Sequence, residues 1–518
     1  MNASLVSPTP GESCEVLVVG GGLAGCELAV QLERHGARDT MVLEAGPAEE
    51  LVHTNFAHDP DDALRHWLEP GTDPYFRRPW SSRYPPHYTG TSGIRQRLGG
   101  RSLYWYGVAL PIEEWALREP WWPAPVIADL TEGWHGGRPL YEQVTAELAA
   151  WVGHADALAA APTDVTLAGS RLVRAPRAIR RAADAPARWY AYSPLDHWRD
   201  PETGRTTAAP AGVTIHPGVE VVAVCVEGGR ARGVLARRAG VPGTLRIDAN
   251  KVVLAAGALV GSRLAMQALH DAGALSAPRL AGLCDHMVQG AFLRLSDAAA
   301  QQLVDILPPG TYYAPCPDAV RSNLFLDVAL LPGGAVLLDL QLTGEQLSSL
   351  NSYVECDARA PRPWPLTVHS RPGPADREVL DGQRVVLSDA LAELLALVGH
   401  AVPALEFGDF DAPLRTNDVV LAQRAVTTAG AAVTWSGFLG TEDHEGGTLA
   451  LGRILANDLQ FTGVDRLYAV GPATFPRLGA ANVALTALAL SHRLARTLAG
   501  DTALDRAHPP RSEWAASR

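Results

Sequence analysis

Apolar residues along this chain cluster in short blocks that end on small residues, and the first block says the most. Cys14-Glu15-Val16-Leu17-Val18-Val19 reads as a buried strand that stops at Gly20. Gly20, Gly22 and Gly25 complete a G-x-G-x-x-G pattern, and an amphipathic stretch through Leu28 and Leu32 predicts a helix. A second apolar run, Thr40-Met41-Val42-Leu43, ends at Glu44 and Ala45, about 20 residues after the glycines. Each part has a physical reason. Gly20 permits the tight turn, Gly22 lets backbone approach a pyrophosphate, and Gly25 lets helix and strand pack closely. The helix N-terminus, opened by Leu23 and Ala24, favours anionic phosphates, and Glu44 can accept from a ribose hydroxyl. Strand, glycines, helix, strand and acid occur in the order that dinucleotide binding requires.

Later blocks differ in period. From His53 to Arg97 the chain is rich in Pro, Tyr, Trp and Arg without a clear repeat, which predicts an ordered loop region that covers something. A β-rich stretch near Val213 to Val234 contains Val219, Val221 and Val222, then the hairpin-like Glu227-Gly228-Gly229-Arg230. Lys251-Val252-Val253-Leu254 is another buried strand, and Ala255-Ala256-Gly257 leads it into a helix. Between Asn323 and Leu342 two alternating runs flank Leu331-Pro332-Gly333-Gly334, the pattern of an antiparallel hairpin. A strongly apolar helix runs from Val483 to Leu498, and the polar tail from Asp505 to Arg518 is expected to fray. Helix-and-strand alternation thus lies at both ends and in the middle, with antiparallel material between.

Composition narrows the class. At 518 residues, 47% hydrophobic and 19% charged, the chain is a folded protein too long for one simple core. Its net charge of -12 argues against nucleic acid or an anionic membrane as partner. No run approaches the roughly 18 apolar residues of a membrane helix. The opening residues Met1 to Pro8 lack a secretory pattern, and six scattered cysteines without C-x-x-C read as free thiols, so a cytoplasmic location without metal is expected. Heavy use of Ala and Arg over Lys suggests a GC-rich genome and says nothing about chemistry, while the non-secreted character leans toward a specialised biosynthetic or catabolic step, and bacterial specialised metabolism is expected.

Further segments resemble the glucose–methanol–choline family of FAD-dependent oxidoreductases. Leu98-Gly99-Gly100-Arg101-Ser102-Leu103-Tyr104-Trp105 is similar to its Gly-Gly-x-Ser signature, and Cys284-Asp285-His286 to its Asp-His pair. Val252 to Arg263 is similar to its Ala-Gly strand–turn–helix. His444-Glu445-Gly446-Gly447-Thr448 resembles its His-x-x-Gly-Thr motif. Gly471-Pro472-Ala473 and Gly479-Ala480-Ala481-Asn482-Val483 resemble its closing flavin motif. The resemblance implies an α/β fold: a Rossmann-like FAD-binding domain interleaved with an antiparallel-sheet α+β substrate domain. The FAD part would comprise 1–130, 205–286 and 440–518, with 53–97 as a lid; 131–204 and 287–439 would bind substrate. Cofactor contacts then fall to Gly20, Gly22, Leu23, Ala24, Gly25, Glu44, Ala45, Gly99, Gly100, Ser102, Trp105, Val221, Ala256, Gly257, Gly471, Pro472, Asn482 and Val483.

Chemistry points the same way. Oxidising an alcohol requires a base for the hydroxyl proton and a neutral donor to hold the oxygen, tasks suited to histidine and an amide. His444 and Asn482 match the family's catalytic pair, although Asn482 also suits a helix N-cap before Val483. The family's Pro after that residue is Val483 here, and Trp105 replaces its usual Asn, as in the pyranose-oxidase-like branch. Tyr104 stands where that branch can carry a flavin-linked His, so non-covalent FAD is expected. The expected partners are a small alcohol and an electron acceptor, O2 or another. The alternatives are a non-redox FAD-binding lyase and a nicotinamide-dependent dehydrogenase. Tyr104, Trp105, Tyr106, Trp115, Trp121 and Trp122 either line a pocket or pack beneath a lid, and Trp435 and Phe438 could wall the site. Arg77, Arg78, Arg95, Arg97 and Arg101 read mainly as a solvated basic face.

Overall fold

The computed structural model describes residues 12–410 and 426–500, apart from 155, 156, 184, 186 and 209. The tail at 505–518 lies outside the described residues. Strand β1 (Ser13–Val19) runs into helix α1 (Leu23–Arg34) and strand β2 (Thr40–Glu44). Gly20 adopts φ +109, a conformation open to glycine but not to L side chains, so the turn depends on it. β1 lies in a seven-stranded sheet between β2 and the strand Leu245–Leu254, both parallel to it, which buries its apolar end Val16 to Val19. The strand Val213–Pro217 extends the parallel part beyond β2. On its other side Leu245–Leu254 is shared along its length. Its first half takes the antiparallel strand Arg230–Arg238, and its second half takes the parallel strand Leu467–Ala469. Helices α1 and Ala484–Leu498 pack against each other, so the two ends of the chain meet in one core.

A second seven-stranded sheet is wholly antiparallel. Its order is Ala432–Gly437, His286–Leu295, Val336–Glu345, Ser322–Leu330, Gly310–Pro315, Ser170–Arg174 and Pro162–Leu167. Its two faces separate by strand alternation. Leu324, Leu326, Leu338, Leu340 and Leu342 pack with Leu387, Leu391 and Leu394 of the long helix Pro374–Ala396, while the alternate residues face the nucleotide side. The hairpin at Leu331–Gly334 forms as expected, joining Ser322–Leu330 to Val336–Glu345. The helix Leu140–Val152 packs on Ala484–Leu498.

The segment 53–97 is more regular than its sequence suggests. It holds helices Thr54–Ala57 and Pro60–Leu68 and short strands that pair in a ribbon and with a small separate sheet. Its many Pro and Arg residues obscured the helical period, because the side chains bury polar groups as well as apolar ones. Among the described residues no helix is long and apolar enough to cross a membrane.

Candidate active site

Between the two sheets lies a cavity of about 1000 Å³. Its nucleotide end is built by the glycine turn. Gly22, Leu23, Ala24, Glu44 and Ala45 line it together with Val221, Ala256, Gly257, Gly471, Pro472 and Val483. A Cβ added at Gly22 would meet no atom of the protein within 4 Å, so bare backbone faces open space there. A Cβ at Gly25 would stand 2.0 Å from the Gly20 carbonyl oxygen. Gly25 therefore serves helix–strand packing and does not reach the cavity. Gly99, at φ +89, is also outside the lining; its N–H donates to the Gly21 carbonyl at 2.7 Å and fixes the neighbouring turn. Gly100, Ser102 and Trp105 do line the cavity. Glu44 accepts from the Gly21 N–H at 2.9 Å and the Gly46 N–H at 2.7 Å, while burial pushes its carboxyl up to about 7. Carboxylate, bare backbone and helix N-terminus form the donor and acceptor set that an adenine dinucleotide needs.

His444 and Asn482 line the same cavity. The turn carrying His444 is clamped on both sides. Arg101 forms a two-point ion pair with Glu445, at 2.6 and 3.0 Å, and a third contact with Asp443 at 2.8 Å. Burial pushes the Asp443 carboxyl up to about 7, against the pull of Arg101. The imidazole itself is held by His286, whose Nδ1 lies 2.9 Å from His444 Nδ1. His286 Nε2 lies 3.1 Å from the Gly479 carbonyl oxygen. A carbonyl only accepts, so Nε2 carries the His286 hydrogen. Burial lowers His286 to about 4, keeping it neutral, so its Nδ1 is an acceptor. His444 must then donate from Nδ1. Burial first, then the neighbouring His286 and Arg101, hold His444 well below 6.5 and therefore neutral. Its lone pair thus lies on Nε2, on a ring that lines the cavity.

Asn482 has a buried Oδ1 without a hydrogen-bond partner. It does not cap the following helix, because Val483 occupies the cap position in helical conformation and no side chain caps there. Of the six aromatics singled out, Trp105 and Tyr106 line the cavity, with Trp105 Nε1 donating to the Tyr192 carbonyl at 2.8 Å. Tyr104 and Trp122 are core residues, and Trp121 is exposed. Trp435 walls the cavity, whereas Phe438 packs on His87. The arginines are not a solvated face as a group. Arg95 is buried with its guanidinium 3.3 Å from Asp73, and Arg97 stacks over Tyr75 at 4.2 Å. Arg77 and Arg78 alone fit the expected exposure.

Glycine turn, second-strand acid and cavity define the class of the chain: an FAD-binding fold. Residues 15–59 match the family model described as FAD binding domain. No curated protein sequence matches the chain. Among solved structures, pyridoxine 4-oxidase from Mesorbium loti is similar over 93% of this chain and 99% of its own, at 18% identity and a TM-score of 0.54. A formate oxidase variant from Aspergillus oryzae, studied for FAD modification, is similar over 95% of this chain and 99% of its own, with 14% identity and a TM-score of 0.59. Formate oxidase is similar at 14% identity over 95% and 99%, with a TM-score of 0.58. These likenesses establish the mixed α/β fold over nearly the whole length.

Two features escaped the sequence reading. His286 was seen only as half of an Asp-His pair, and its partner lies 158 residues away. The acidic residues of the cavity wall carried no motif, although the strand alternation that exposes them was present.

Proposed function

We propose that this protein is an FAD-dependent oxidoreductase of the glucose–methanol–choline type that oxidises the CH–OH group of a small alcohol to an aldehyde or ketone. The observation that carries this reading is the hydrogen-bond line from the Gly479 carbonyl through His286 to His444, which leaves a basic Nε2 at the cavity. His444 takes the hydroxyl proton at Nε2. A base already neutral and oriented contributes roughly 10²–10⁴-fold. Asn482 holds the substrate oxygen through its amide, without adding charge. FAD, when bound, accepts the hydride that leaves the alcohol carbon. Gly22, Glu44, Ala256, Gly257 and Gly471 would hold that cofactor, and the helix Ala484–Leu498 presents its N-terminus to the same cavity. Trp105 lines this cavity, which supports the reading that places the chain with the pyranose-oxidase-like branch.

We keep the cofactor non-covalent. Among the described residues His444 alone of the histidines lines the cavity, and Tyr104 lies outside it. The interleaved division set out from the sequence, with the antiparallel sheet as substrate domain, fits a cavity lined from both sheets. The electron acceptor, O2 or another, is the second partner.

The test is spectroscopic. Purified protein should be yellow and release its colour on acid precipitation. Anaerobic addition of a reducing alcohol should bleach the oxidised-flavin band. His444→Ala should slow bleaching by roughly 10²–10⁴-fold. Turnover without bleaching would point to the lyase, and a colourless protein that cannot be reconstituted would remove the assignment.

A further inference from the structure

The cavity wall opposite the glycine turn is a face of the antiparallel sheet, and one row of that face is acidic. Thr311, Asp327, Asp339 and Phe292 stand directly opposite one another across four adjacent strands. All four line the cavity. Like charges set directly opposite on one sheet face destabilise it, and exclusion of water adds to the penalty. Asp327 is partly satisfied: Thr311 donates to its Oδ1 at 2.5 Å, and Arg177 donates to Thr311 at 3.0 Å. Asp339 has less support: the Trp435 indole N–H is the donor that acts on its carboxyl. Its Oδ1 is buried and accepts no hydrogen bond. The charged groups that act on it are Asp327 and Glu442, both acidic, and burial raises its carboxyl well above the usual range.

A second observation lies beside it. Trp435 is 4% exposed, lines the cavity, and turns its indole N–H toward the Asp339 carboxyl. Its ring lies so close over Gly290 that a Cβ there would stand 2.6 Å away, and it stacks on Phe292 at 6.1 Å. An aromatic wall therefore adjoins a carboxyl with a free oxygen, the surroundings that favour an alkylammonium ion. Of the other cations of the cavity, Arg77 and Arg78 are exposed and donate to the Pro74, Phe76 and Gly90 carbonyls, and three more are held by carboxylates. Arg101 is held by Asp443 and Glu445, Arg95 by Asp73, and Arg263 lies 3.8 Å from Glu220. Arg177 acts on Asp327, and no cation acts on Asp339 or Glu442 among their leading influences.

We propose that Asp327 and Asp339 form a subsite for a protonated amine, and that the alcohol oxidised here carries such an amine. This rests on the reading of the site as an alcohol oxidase or dehydrogenase and adds the substrate class. Asp339 Oδ1 accepts an N–H of the ammonium group, and the positive charge relieves the repulsion between the paired carboxylates. The Phe292 and Trp435 rings cover its carbon skeleton.

The experiment compares matched pairs on the FAD-bound protein: glucosamine with glucose, ethanolamine with ethylene glycol, and an aminated with a hydroxylated cyclitol. Affinity is read from ligand-induced change in the flavin spectrum and from the thermal midpoint, rates from anaerobic bleaching. The aminated member of at least one pair should bind roughly ten- to hundredfold more tightly, as expected for hydrogen bonds between charged groups. Asp339→Asn should remove that preference while leaving the flavin spectrum of the free protein unchanged. Asp327→Asn, which keeps a hydrogen-bonding partner for Thr311, should reduce it less. Equal responses within every pair, including no response from any member, would overturn the subsite. A preference for amines in binding without any bleaching would instead leave the subsite standing and remove the oxidation reading.

Discussion

The Nδ1 atoms of His286 and His444 face each other at 2.9 Å, and one must carry a hydrogen while the other offers a lone pair. The Gly479 carbonyl decides which, by taking the only hydrogen that neutral His286 has. His286→Ala would leave His444 free to adopt either tautomer and to turn. We expect kcat to fall roughly 10- to 100-fold, the scale at which orienting partners act, with KM little changed. His286→Asn, whose amide oxygen can accept from His444, should recover part of the loss. A purely structural role for His286 would lower the thermal midpoint equally in both variants and would show no such recovery.

The pH profile follows from the same geometry. His444 has its folded pKa depressed below 6.5, chiefly by burial, so the base is already deprotonated at neutral pH. The acid limb of kcat should therefore lie below pH 6.5, and the rate should be flat through neutrality. Stopped-flow bleaching between pH 5 and 9 checks this; an acid limb centred near pH 7 would contradict the burial argument.

Three glycines of the nucleotide end should respond differently to a methyl group. In Gly22→Ala the Cβ meets no protein atom, so the apo-protein should keep its thermal midpoint while FAD affinity drops at least roughly tenfold, the scale of one displaced contact. In Gly25→Ala the Cβ collides with the Gly20 backbone, and both folding and FAD retention should suffer. Gly261→Ala, with no atom within 4 Å and inside a helix, should keep FAD and gain up to about 1 kcal/mol. Gel filtration and thermal melts separate the three.

Glu442 gives a stability test with a defined sign. Burial raises its folded pKa to about 7, from 4.5 in the unfolded chain. Between those values the native state binds the extra proton, so this contribution is full below pH 4.5 and is lost as pH rises through 7. Glu442→Gln should match the parent near pH 4.5 and exceed it at pH 8, by on the order of 2 kcal/mol. Paired denaturant melts across that range measure the difference.

Much of the nucleotide end was legible because its chemistry is local. Gly20, Gly22, Glu44 and the strand before them lie within about 30 residues, and each answers a requirement of backbone geometry or hydrogen bonding. The hairpin at Leu331–Gly334 was legible for the same reason. What was hidden is what folding brings together from afar. Asp327 and Asp339 look in sequence like ordinary polar positions of alternating strands; only the register sets them opposite each other on a cavity wall. Asn482 read first as a site residue and also as a helix cap, and the helical conformation of Val483 removes the second reading. The arginines near 95–101 looked solvated because nothing in their spacing announces Asp73, Asp443 or Glu445 as partners.

The carbonyl of Gly479 closes the histidine line with an oxygen that has no proton to give. Its own N–H is pinned by Glu345 at 3.1 Å, and the next N–H by Glu113 at 2.9 Å, so the end of the line does not swing away. A proton arriving at His444 can be shared inward with His286 and go no further. This line offers no onward relay, so on the proposed reading a proton taken up at His444 returns by way of His444 itself.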